Sequence, residues 1–154
     1  MASACFVVNE WLLDDLLLQN GAKAREQSYA FLLKLLEKCD RIVVRVPSPW
    51  RDKAHRLGKL DPRSKYAKML FGAILKNTQK CHLMYAEEIQ PLPQDVRAAI
   101  HRKDIYLVET FYSVRSSVLI TKDPDLCEAL SRHQTDGKMA VRLRDEFLVE
   151  YLGQ

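Results

Sequence analysis

Four short stretches of this chain place acidic or polar residues where chemistry is possible. Asn9-Glu10 follows the apolar run Cys5-Phe-Val-Val, and Ser48 to Asp52 follows Arg41-Ile-Val-Val-Arg-Val46. Asp123 follows Ser117-Val-Leu-Ile-Thr121, and Asp104 opens a helical stretch just before it. If the runs are parallel strands, all four sites fall at one edge, outside the strands' carboxyl ends, where open α/β sheets bind ligands. Carboxylates gathered there repel one another, and a cation removes that cost. Donor sets made only of oxygen favour Mg²⁺ or Mn²⁺ over zinc. Such ions activate water and stabilise an in-line displacement at phosphorus. Each acid also has an ordinary structural alternative. Asp123 before Pro124 makes a helix N-cap worth about 1 kcal/mol, Asp104 makes another, and Asp52 pairs with a basic neighbour in a first helical turn.

A second feature lies in the charge distribution. Net charge is only +4, but Arg51 to Lys68 holds seven Lys or Arg against Asp52 and Asp61. A local basic surface of this kind attracts phosphates, although a solvated helix face has the same composition. Arg51, Lys53, Arg56 and Lys59 are its candidates for contacts with phosphates.

Other chemistries lack residues to carry them. Cys5, Cys39, Cys81 and Cys127 form no CxxC pair, and His55, His82, His101 and His133 show no ligand spacing, which argues against zinc. Reduced thiols and the lack of a secretion signal give a cytoplasmic expectation. The apolar stretch from Ala4 to Leu18 is broken by Asn9, Glu10, Asp14 and Asp15, so neither a signal peptide nor a membrane span is expected. GxGxxG, Walker and GxSxG motifs are all missing from the sequence.

The elements that must position the acids alternate in type. Strands are expected at 5–9, 41–46, 81–85, 117–121 and 139–141. Helices are expected at 10–19, 25–38, 50–57, 61–77, 94–100, 104–114, 123–132 and 144–152. Asn20-Gly21 reads as the stop of the first helix. Ser48 reads as an N-cap, with Pro49 in the first helical position. Tyr29, Leu32, Leu33 and Leu36 give the second helix a buried stripe, and Tyr66, Met69, Leu70 and Ile74 do the same for the fourth. No hairpin signal joins two strands. The order implies one α/β domain over 1–154, a mainly parallel central sheet flanked by helices on both faces.

Several of these segments resemble PIN domains. Val7-Val-Asn-Glu-Trp-Leu-Leu13 is similar to that family's opening strand and helix. Lys103-Asp-Ile-Tyr-Leu-Val-Glu-Thr-Phe-Tyr112 and Val118-Leu-Ile-Thr-Lys-Asp-Pro-Asp-Leu126 resemble its second half, where a helix starting with Asp precedes a strand ending in Thr-x-Asp or Thr-x-Asn. Met139-Ala-Val-Arg-Leu-Arg-Asp-Glu-Phe-Leu148 looks like its last strand and helix. The resemblance implies a three-layer sandwich and an Mg²⁺- or Mn²⁺-dependent ribonuclease, in many members a toxin restrained by an antitoxin and often dimeric. Carried over by position, Asp104 and Asp123 would be ligands or hold metal-bound water. Asp125 and Glu109 would be additions, and Asp52 would replace the acid, usually Glu, after the second strand. The departure is Asn9, where the family has Asp: its amide oxygen can ligate but brings no charge, and Glu10 compensates only if the strand end shifts by one residue. Two expectations follow: a ribonuclease leaving a 3′-hydroxyl and a 5′-phosphate, or a PIN-like module that has lost catalysis and binds RNA or a protein partner.

Overall fold

In a computed structural model, which describes residues 3–57, 59, 65–133 and 140–153, five strands form one parallel sheet. They are β1 (Cys5–Val8), β2 (Arg41–Val46), β3 (Cys81–Tyr85), β4 (Ser117–Thr121) and β5 (Ala140–Leu143), in the order β3-β2-β1-β4-β5. Around it among the described residues are α1 (Trp11–Leu16), α2 (Ala22–Glu37), α3 (Pro49–Arg56), α4 (Lys65–Leu75), α5 (Gln94–Ala99), α6 (Ile105–Ser113), α7 (Pro124–Arg132) and α8 (Arg144–Leu152). The molecule is an α/β three-layer sandwich, as the alternation of strand and helix signals implies.

Alternation along the strands divides the core into two halves. Phe6, Val8, Ile42, Val44 and Ile120 point to one side, where α1, α2, α3, α4 and α8 pack. Val7, Val43, Met84 and Leu119 point to the other, against α5, α6 and α7. The inner strands are therefore apolar on both faces, which is why they read as unbroken β-branched and aliphatic runs. On the first side Phe31 of α2 is fully buried among Phe6, Trp11, Phe147 and Tyr151. Its contacts with Phe147 and Tyr151 are edge-to-face, and each such contact stabilises by about 0.5–1.5 kcal/mol beyond the area it buries. At the amino end of β2, Asp40 accepts from the Ala4 amide at 2.9 Å and the Tyr151 hydroxyl at 2.7 Å, fastening β1 and α8 together.

The helices depart from expectation in their faces more than in their existence. The buried arc of α2 is Ser28, Phe31, Leu32 and Leu35, while Leu33 is 44% exposed. Ser28 belongs to that arc because its hydroxyl donates to Asp15 at 2.7 Å, a partner that apolar counting does not see. In α4 the buried set is Ala67, Leu70, Phe71 and Ile74, whereas Tyr66 and Met69 face outward. Asn20-Gly21 does not stop α1. That helix ends at Leu16, Leu18 takes a left-handed φ of 66°, and Gly21 at φ 94° precedes α2. Asn20 instead donates its amide to Asp15 at 2.7 Å. Ser48 caps α3 as expected, accepting from the Arg51 amide at 3.1 Å with Pro49 behind it. The expected helix start at Asp61-Pro62 and Met139 of the last strand lie outside the described residues.

A candidate active-site cleft at the strand-order reversal

The sheet order turns between β1 and β4. These strands pair in register, Val8 opposite Ile120, yet the chain leaves β1 into α1 on one face and leaves β4 into α7 on the other. Diverging connections at such a point open a crevice above the strand ends. Here it is a cleft of about 500 Å³ whose walls come from residues 9–20, Pro49, 103–106 and 122–123.

Two hydrogen bonds hold its floor. The Asn9 amide continues the ladder to the Ile120 carbonyl at 3.2 Å, and the Trp11 indole donates to the same carbonyl at 2.9 Å. Asn9's side chain is spent locally: Oδ1 accepts from the Glu10 amide at 2.7 Å and Nδ2 donates to Thr121 Oγ1 at 3.4 Å. Thr121 Oγ1 also accepts the Asp123 amide at 3.1 Å, so one hydroxyl ties both strand ends.

Four carboxylates and two lysines line the cleft. Asp104 ends a 3₁₀ turn (Arg102–Asp104) before α6, is 7% exposed, and receives no side-chain cap bond. Burial pushes its carboxyl above the ordinary range; Lys103 pulls against the rise, the charge of Asp123 adds to it more weakly, and His101 opposes it least. Asp123 caps α7 by accepting from the Asp125 amide at 3.0 Å, so the cap role and a place in the cleft coincide in one residue. Glu10 stands at the start of α1, and Asp14 one helical turn later is ion-paired with Lys53. Tyr106 is pushed well up by burial and by the charges of Glu10 and Asp104, so its hydroxyl keeps its proton and remains a donor.

Of the sequence candidates, Asn9, Glu10, Asp104 and Asp123 come together in the cleft. Asp52 and Asp125 do not line it; both are exposed in the first turns of α3 and α7. Glu109 faces Arg45, 3.4 Å away. The basic segment mostly turns elsewhere. Arg51 is half-buried, and its charge opposes the burial that lifts the Cys81 thiol to about 11. Arg56 and Lys59 are exposed outside the cleft, and among the described residues of the segment Lys53 alone reaches its rim, through Asp14. Sequence reasoning missed Asp14, Lys103, Tyr106 and Lys122. A signal existed for Asp14, which is i+4 from Glu10 and so on the same helix face.

As a metal site, the donors are all oxygens, and the buried Asp104 carboxylate has no hydrogen-bond donor or ion-pair partner among the described residues. Among those residues no group of three or more His, Cys, Asp or Glu side chains could by itself hold a metal ion. Two carboxylates are the set that Mg²⁺ takes when it keeps several waters and completes its shell with substrate phosphate. The donor chemistry fits that ion and not a caged one. No helix among the described residues is long and apolar enough to cross a membrane. Comparison with family models, curated proteins and solved structures returns no match, so the cleft is read from its own residues.

Proposed function

We propose that the chain is a PIN-like, Mg²⁺- or Mn²⁺-dependent ribonuclease whose reactive site is the cleft between β1 and β4. The observation that carries this is the pairing of Asp104 with Asp123. A mostly buried carboxylate shares the cleft with a second negative charge that adds to the cost of its burial, a cost that Lys103 and His101 offset only in part and that a bound cation would remove. A divalent ion there would supply phosphate neutralisation and a water acidified toward neutral pH. The chain's own groups do the rest. Lys103 and Lys122 offset phosphate charge at the rim, Glu10 accepts a proton on the α1 side, and Tyr106 donates to a phosphate or leaving oxygen. The test is cleavage of a labelled single-stranded RNA in millimolar Mn²⁺. Asp104→Asn and Asp123→Asn should each slow it by roughly 100-fold or more. Cutting that survives both EDTA and Asp123→Asn sinks the mechanism.

A specific observation favours the second reading, a PIN-like module that binds RNA or a protein partner without cutting. Asn9 brings no charge, its amide is consumed by Glu10 and Thr121, and Asp14 is neutralised by Lys53. That reading predicts no Mn²⁺ binding at Asp104 and Asp123. An antitoxin partner and a homodimer are implications of the resemblance and go with the first reading, whereas a cytoplasmic setting rests on the unpaired thiols alone.

A further inference from the structure

The cleft does not end at its own rim. Asn20 and Lys122 line it, and both also line a second recess of about 310 Å³ together with Lys23, Gln27, Arg144 and the exposed Asp145, whose carboxylate is paired with Arg144. The recess floor is Arg144, which is 5% exposed and fully engaged: Nε donates to Asp15 at 2.9 Å, Nη1 to Asp145 at 2.5 Å, and Nη2 to Gln27 Oε1 at 3.2 Å. Gln27 thereby has its oxygen fixed and its NH₂ left to donate. Lys23 and Lys122 are exposed and make no ion pair among the described residues. The cleft and the recess thus adjoin at Asn20 and Lys122, giving a concave path from the carboxylates across Lys122 to Lys23.

We infer that this path is a track for single-stranded nucleic acid, with Lys122 at the reactive phosphate and Lys23 holding the next phosphate along. The inference rests on the cleft being a phosphodiester site. It displaces the basic segment of α3, whose side chains face away or are already paired, as the route of the strand. Spaced ammonium groups joined by a groove suit a backbone followed in one direction, and such contacts position the strand without reading its bases.

The test is fluorescence anisotropy with a labelled dinucleotide and a labelled octanucleotide of single-stranded RNA. It is run on the full chain in EDTA and in Mn²⁺, with the RNA checked on a gel. Lys23→Ala should weaken the octanucleotide by roughly two- to fivefold and lower its salt slope by about 0.7, leaving the dinucleotide unchanged. Lys122→Ala should weaken both, and Lys76→Ala, at the opposite edge of the sheet, neither. Equal loss for both lengths with Lys23→Ala, or loss for neither, overturns the track. Displacement of the octanucleotide by poly-glutamate as readily as by unlabelled RNA also overturns it, assigning the groove to an acidic peptide. An octanucleotide that binds as expected but stays intact in Mn²⁺ overturns the ribonuclease reading alone. RNA that fails to bind at either length overturns both.

Discussion

Asn9 and Thr121, separated by 112 residues in sequence, meet through a 3.4 Å hydrogen bond from the Asn9 amide to the threonine hydroxyl. The bond couples the ends of β1 and β4 at the floor of the cleft. It also fixes the polarity of the contact, because an amide NH₂ donates where a carboxylate would have to accept.

Asn9→Asp reverses that polarity and adds a negative charge beside Asp123. Without metal the variant should be less stable than the parent, by about 1–2 kcal/mol for the altered bond and the added repulsion. With Mn²⁺ it should bind the ion more tightly and cut RNA faster. Calorimetric titration and urea denaturation with and without Mn²⁺ check both halves. Weaker Mn²⁺ binding in the variant would mean that position 9 does not face the ion.

Asp104→Asn should stabilise the fold at neutral pH while abolishing activity. The sign follows from the raised carboxyl. A group whose folded pKa exceeds its unfolded value binds its proton more readily when folded. It therefore disfavours the folded state at pH above the folded pKa, and that penalty fades as pH falls toward the unfolded value, near 3.8. The gain in Tm from Asp104→Asn should accordingly be largest at neutral pH and shrink on acidification. A loss of stability at neutral pH would show that the carboxylate is satisfied.

Metal removal should be visible in stability as well as in activity. An ion that binds only the folded chain stabilises it by about 2.7 kcal/mol at a hundredfold excess over Kd. Adding Mn²⁺ should raise the Tm of the parent, EDTA should return it, and neither should move Asp104→Asn. An equal response in both proteins would place the ion elsewhere.

Arg144→Leu should be among the most damaging single changes. It leaves Asp15, wholly buried between α1 and α2, with a charge matched only by Ser28 and Asn20 hydroxyl and amide dipoles. Removing one partner of a buried pair costs about 3–5 kcal/mol. The Arg144 guanidinium also lies 5.2 Å from the Trp11 ring centroid, so the wall of the cleft should loosen with it. Denaturation midpoints and Trp fluorescence report the two effects separately.

Much of this was legible because strand ends and helix starts leave plain marks. Asp104 and Asp123 stood out as acids where apolar runs stop, and the parallel order brought their elements together. Asp125 lies outside the cleft lining because two residues along a helix is about 200° of rotation, which turns it to solvent. Ser28 misled because a hydrogen-bonded polar residue can sit in a buried stripe that apolar periodicity assigns to its neighbours. The described part of the basic segment lies mostly outside the cleft lining for a related reason. Counting lysines and arginines gives their density along the chain, but Arg51 turning inward beside Cys81 and Lys53 turning to Asp14 are decided by tertiary neighbours. Lys122 carried no mark at all except that it precedes Asp123.

The register of β1 against β4 has a consequence for synthesis. One wall of the cleft is made in the first 20 residues and the opposite wall only at 103–123. Long-range parallel pairing of this kind is slow, since loop closure precedes any reward. A growing chain emerging from the ribosome therefore carries no assembled site until β4 has been released and has docked beside β1. Whatever the cleft does, the nascent chain is unable to do it until β4 has been made and has joined β1.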